Sequence, residues 1–101
     1  MRFRQYDYLR SCVVVARYLN MGRAARELNL SKGAVSYQVR QLEAELGFPV
    51  CSRSRRNLVL TEQGADLMQL SGRLFDGIER KVVELRRQDR QRITIGMATY
   101  F

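Results

Sequence analysis

The chain has 101 residues, room for one small domain with an extension but not for two cores, since domains most often run to roughly 100–150 residues. Hydrophobic residues make up 46% and charged residues 28%, and no apolar run nears the ~20 residues that span a bilayer, which excludes a membrane protein. The amino terminus Met1-Arg2-Phe3-Arg4-Gln5-Tyr6-Asp7 lacks the apolar stretch of a secretory signal, so the chain is expected in the cytoplasm. Net charge is +8 and 16 of the 18 basic residues are arginine, whose planar fork of donors suits phosphate. An acidic partner follows, with nucleic acid first and an anionic membrane or acidic protein behind it. With no histidine and only Cys12 and Cys51, there are too few soft ligands for a structural zinc site and no evident base for a nucleophile. Neither a metal, a cofactor nor catalysis is expected, and both cysteines read as small buried apolar residues.

Taken in chain order, Tyr6, Leu9, Val13 and Ala16 recur at steps of three and four, which predicts an amphipathic first helix from Phe3 to about Leu19. Asn20 can cap a short second helix carrying Ala24, Ala25 and Leu28. A break at Asn29-Leu30 leads to Ser31, whose hydroxyl can cap a third helix from Lys32 to about Leu46, buried through Val35, Val39, Leu42 and Leu46 and stopped by Gly47. Residues 49–53 and 58–60 suit two strands of a basic hairpin around a polar turn, Ser54-Arg55-Arg56-Asn57. Thr61 caps a long helix with Glu62 in its first turn and Leu67, Leu70, Leu74, Ile78, Val82 and Leu85 in one stripe, ending near Gln88. After the polar stretch 88–92, Ile93-Thr94-Ile95 alternates like a strand that has no sheet to join, and so predicts the start of a further unit.

Two helices joined by a turn of three residues, with small Ala24 and Ala25 permitting close approach, form the arrangement that projects one helix into a DNA groove. Spacing residues of the third helix at about 100° puts Gly33, Tyr37 and Arg40 outward with Ser36 beside them. Lys32 and Gly33 occupy its first turn, where free backbone N–H groups favour phosphate or a base edge. Arg40, two turns further on, can bind guanine in two-point fashion or hold a phosphate, and its distance from the helix start favours the phosphate. A merely solvated helix face is the plain alternative; Arg53, Arg55 and Arg56, clustered at the adjoining hairpin, weigh against it. The long helix extends beyond what a three-helix core covers, so Leu74, Ile78, Val82 and Leu85 call for a second copy rather than their own domain.

In order and spacing, Arg23-Ala24-Ala25-Arg26-Glu27-Leu28, Ser31 through Glu43, and Leu60-Thr61-Glu62-Gln63-Gly64 resemble the signature of LysR-type regulators, over residues 3–92. Ser31 through Val39 resembles that family's S-Q-P-A-L-S-R-Q-I recognition segment and Val50-Cys51-Ser52-Arg53 its L-F-x-R wing strand. The departures are Lys32, Gly33 and Tyr37 in the recognition segment, and Cys12, Met21 and Cys51 where phenylalanine is usual; Tyr6, Tyr8 and Tyr18 are the side chains available to refill that space. The resemblance implies a mainly α winged helix-turn-helix, a linker helix that dimerises, and binding to an interrupted palindrome. It also implies a following effector-binding domain, whose first strand Arg92-Ile93-Thr94-Ile95-Gly96 resembles, so no effector ligand is expected to bind this segment.

The expectation is therefore a DNA-binding unit at 1–60, a dimerisation helix at 61–89 and a hinge with the first strand of an absent domain at 90–101. Sequence-specific binding to double-stranded DNA falls to Arg23, Ser31, Lys32, Gly33, Ser36, Tyr37, Arg40, Arg53, Arg55 and Arg56. Homodimerisation falls to Leu67, Leu70, Leu74, Ile78, Val82 and Leu85. The competing readings are an interaction protein that heterodimerises with a full-length relative and, less favoured, a basic module for structured RNA, whose A-form groove is too narrow for a helix.

Overall fold

The computed structural model describes the backbone of residues 3–95 and the side-chain surroundings of residues 5–90. Four helices and one hairpin follow in the order α1 (Phe3–Tyr18), α2 (Met21–Leu28), α3 (Lys32–Leu46), β1 (Cys51–Ser54), β2 (Asn57–Leu60) and α4 (Glu62–Ile95). This is a mainly helical winged helix-turn-helix with a long carboxy-terminal helix.

α1 is the centre of the packing, touching α2, α3 and α4. Cys12, Val13 and Val15 of α1 meet Ala24 and Ala25 of α2, Val35, Val39 and Leu42 of α3, Val50 before the hairpin and Met68 of α4 in one buried cluster. Fully burying a side chain such as Leu42 contributes about 1.5–3 kcal/mol. Because three helices cover α1, its buried face is wider than the stripe of Tyr6, Leu9, Val13 and Ala16 predicts. It is centred on Cys12 and Val15 and takes in Ser11, whose hydroxyl donates to the Asp7 carbonyl at 3.3 Å. Tyr6 lies at the edge of that face in the first turns and is 51% exposed. Of the three tyrosines expected to refill the space of missing rings, Tyr8 packs against the core while Tyr6 and Tyr18 stay exposed. Cys12 is buried, as expected; Cys51 is only half-buried against the cluster.

The caps act where the sequence places them. Asn20 accepts from the Arg23 N–H at 2.9 Å, Ser31 accepts from the Ala34 N–H at 3.1 Å, and Gly47 ends α3 in the left-handed region at φ 86°. Each polar cap contributes typically ~1 kcal/mol. The hairpin is tighter than a four-residue turn: Ser54 pairs with Asn57, leaving Arg55 and Arg56 as a two-residue turn with φ 52° and 71°. Two left-handed residues match the twist of the flanking strands, which is why the strands extend to Ser54 and Asn57.

α4 runs through Ile95 rather than ending near Gln88, and Ile93-Thr94-Ile95 is helical, not a strand. The apolar period stops at Leu85, but the arginines and glutamines that follow are good helix formers and no glycine or proline interrupts them before Gly96. The remainder of the expected hinge and first strand, residues 96–101, lies outside the described residues.

Candidate nucleic-acid interface

The exposed side of the molecule at α2 and α3 is built by the core beneath it. Val35, Val39 and Leu42 are 0–4% exposed, which holds the opposite side of α3 in solvent. There Lys32, Gly33, Tyr37 and Arg40 are exposed and Ser36 is half-buried beside them. The short link from α2 is closed by Asn29 in the left-handed conformation at φ 58° and by a bond from the Leu30 N–H to the Ala25 carbonyl at 2.9 Å. That closure brings the starts of the two helices together, so that the Lys32 stem lies over Gly22, next to exposed Arg23. A Cβ on Gly33 would meet only the Ser31 hydroxyl, at 4.0 Å, so the first turn of α3 presents its backbone openly.

On the hairpin, Arg53 stands on β1 opposite Leu58, and Arg55 and Arg56 form the tip, all exposed. Among the described residues, Arg23, Lys32, Arg40, Arg53, Arg55 and Arg56 form no ion pair with a carboxylate, so six exposed cations of the sequence-predicted set are unpaired. Such unpaired side chains attract phosphate without first breaking an internal contact.

α4 divides its apolar residues in two. Met68 and Ser71 are buried and Leu67 and Phe75 pack on the core, so Leu67, expected with the pairing stripe, belongs to its own domain. Leu70, Leu74, Ile78, Val82 and Leu85 are 38–60% exposed along the same helix, and Val83, outside the predicted stripe, is 53% exposed. Lys81 lies 2.8 Å from Glu84 and holds its carboxyl below the usual range.

Sequence reasoning misses the residues that fix the hairpin to the helices. Glu43 Oε2 accepts from the Val50 N–H at 2.7 Å and the Cys51 N–H at 3.3 Å. The Thr61 hydroxyl donates to the Pro49 carbonyl at 2.7 Å and accepts from the Gly64 N–H at 2.9 Å. Thr61 is legible as a cap; the partners of Glu43 are seven and eight residues away, past the end of α3 at Leu46, and leave no periodic signal.

Residues 6–65 match the family described as bacterial regulatory helix-turn-helix protein, lysR family. The chain is 45% identical to the HTH-type transcriptional activator AmpR of Providencia stuartii over 71 residues, 70% of this chain and 24% of that protein. It is 38% identical to the RuBisCO operon transcriptional regulator of Allochromatium vinosum over 94 residues, 90% of this chain and 31% of that one. Its fold is similar to that of the BenM DNA-binding domain in complex with catB site 1 DNA, with a TM-score of 0.76 and 26% identity over 92% of this chain and 98% of that chain. The chain belongs to the LysR family of bacterial regulatory helix-turn-helix proteins. It spans 24–31% of the length of these curated relatives. Among the described residues no helix is long and apolar enough to cross a membrane.

Proposed function

We propose that this chain binds a specific site on double-stranded DNA as a homodimer and serves as the DNA-reading part of a LysR-type transcription regulator. The observation that carries the reading is the division of α3 into a face buried to 0–4% and a face of exposed, unpaired polar groups beginning at an open helix start. B-DNA's major groove, about 12 Å wide, admits such a helix. Lys32, Gly33, Ser36 and Tyr37 then face base edges and Arg40 a phosphate, with Ser31 and Arg23 at the adjoining helix ends. Arg53, Arg55 and Arg56 hold the backbone or enter the minor groove. No catalysis and no cofactor belong to this reading.

Pairing falls to α4 up to about residue 89, through Leu70, Leu74, Ile78, Val82 and Leu85. Their exposure supports it, because apolar surface left in water forfeits about 25 cal/mol for each Å² that a partner helix would cover. Residues 1–60 form the unit that reads DNA, and two such units on paired helices address a two-fold site.

Selection from random duplex DNA, followed by a salt titration of the winning site, tests the reading. A two-fold site with a steep salt slope is expected. Lys32→Ala and Tyr37→Ala should change the preferred sequence, whereas Arg53→Ala should weaken all duplexes alike and flatten the slope by up to about one unit. Tight, salt-sensitive binding that enriches no sequence would reduce the chain to a nonspecific basic module.

A further inference from the structure

We propose that Glu43 is a positioning residue: by clamping Val50 it locks the recognition helix α3 to the start of the pairing helix α4, and so sets the separation between half-sites that the dimer accepts. The inference rests on the DNA-reading dimer proposed above and adds the device that holds its two readers at a fixed distance.

Val50 lies between α3 and the hairpin and is 2% exposed. Its N–H donates to Glu43 Oε2 in the last turns of α3, at 2.7 Å, and its carbonyl accepts from the Thr61 N–H at the start of α4, at 2.9 Å. The Cys51 N–H reaches the same carboxylate oxygen at 3.3 Å. From the α4 side, the Thr61 hydroxyl donates to the neighbouring Pro49 carbonyl, and Gly64 lies against the Val50 backbone. One buried residue is thus held by the end of one helix and by the beginning of another.

Along the chain, α3 and α4 are joined only through the left-handed Gly47 and the hairpin, a path with no regular helix of its own. α1 packs on both helices, and the clamp at Val50 adds a direct tie that removes the freedom the connecting path leaves. A carboxylate suits the task because charge-assisted hydrogen bonds are roughly twice as strong as neutral ones and one oxygen can accept both N–H groups.

In a dimer joined through α4, the angle between α4 and α3 fixes the distance and phase of the two recognition helices. One added base pair moves a half-site by about 3.4 Å and turns it by about a tenth of a turn. A stiff joint therefore discriminates spacings, and a loose one accepts several.

The test uses the whole chain with wild type, Glu43→Ala, Glu43→Gln and Thr61→Val. The probes are duplexes carrying the half-site selected by wild type, once, or twice at separations stepped by one base pair over a full turn. Binding is measured below the melting temperature of every variant. Affinity for the single half-site should stay within about threefold of wild type, while the preference for the best spacing over its neighbours should fall about threefold or more in Glu43→Ala and Thr61→Val. Glu43→Gln, which keeps an acceptor oxygen, should retain most of it. If Glu43→Ala does not fold, Glu43→Asp, whose shorter side chain draws the carboxylate away from the Val50 N–H, takes its place with the same expected loss of spacing preference. Spacing profiles as sharp as wild type, with only the melting temperature lowered, would overturn the joint. A wild type that binds paired half-sites no better than one would overturn the dimeric reading itself.

Discussion

Gly64, in the first turn of α4, approaches the Val50 backbone so closely that a Cβ built on it falls 2.0 Å from the carbonyl oxygen and 2.7 Å from the carbonyl carbon. Both neighbours are backbone atoms, and that backbone is tied by the Thr61 N–H and Glu43, so neither can yield easily. The glycine is needed for proximity rather than for an unusual φ. Gly64→Ala is therefore expected to lower stability by about 3 kcal/mol or more, the upper end of overpacking effects, and the melting temperature by more than about 10 °C. Gly33→Ala is the control, since its added atom meets only the Ser31 hydroxyl at 4.0 Å, and its melt should match wild type or rise by up to about 1 kcal/mol. Equal melts for the two variants would contradict the close approach.

Burial pushes the Cys12 thiol up to about 12, with Cys51 and the Glu43 carboxylate adding to the effect. The folded value lies above that of an unfolded thiol, ordinarily about 8.5, so the contribution to stability is complete below that range. It is lost as pH rises from there towards 12, because the unfolded chain then ionises and the folded one does not. Urea unfolding of wild type and Cys12→Ala at pH 7.5 and pH 10.5 measures this ~1.4 kcal/mol per pH unit. The advantage of wild type should narrow at the higher pH; an advantage independent of pH would refute it. In native protein, half-buried Cys51 should take up an alkylating reagent well before Cys12.

What could be read from the sequence is what is decided locally. Asn20 and Ser31 bond backbone three residues on, Gly47 ends its own helix, and Val35, Val39 and Leu42 repeat at helical spacing, so the bounds of α2 and α3 and the outward set Lys32, Gly33, Tyr37 and Arg40 are legible. Tyr6 misled because the periodicity of one helix does not say how many neighbours will cover it. Residues 88–95 misled because an end to apolar repetition is not an end to helical propensity. The clamp of Glu43 on Val50 joins elements separated by a turn, and Leu67 differs from Leu70 in the side of α4 it occupies, since Ser71 and Phe75 further along still pack on the domain. Both depend on three-dimensional packing that a single sequence does not encode by spacing.

Arg55 and Arg56 both sit in the left-handed region, at φ 52° and 71°, at the tip of the hairpin. For residues with a Cβ that conformation costs roughly 1–2 kcal/mol each, and the two-residue turn favours asparagine followed by glycine instead. The turn thus gives up stability at the point where two unpaired cations face solvent, which is the expected trade if they serve to hold DNA. Replacing Arg55→Asn and Arg56→Gly together should raise stability by about 1 kcal/mol or more in thermal melts. The same pair should weaken binding to every duplex and lower the salt slope by up to about two units, one for each phosphate no longer neutralised. A more stable protein with an unchanged slope would free the turn from DNA contact, and an unchanged melt would mean that the strands already relieve the strain.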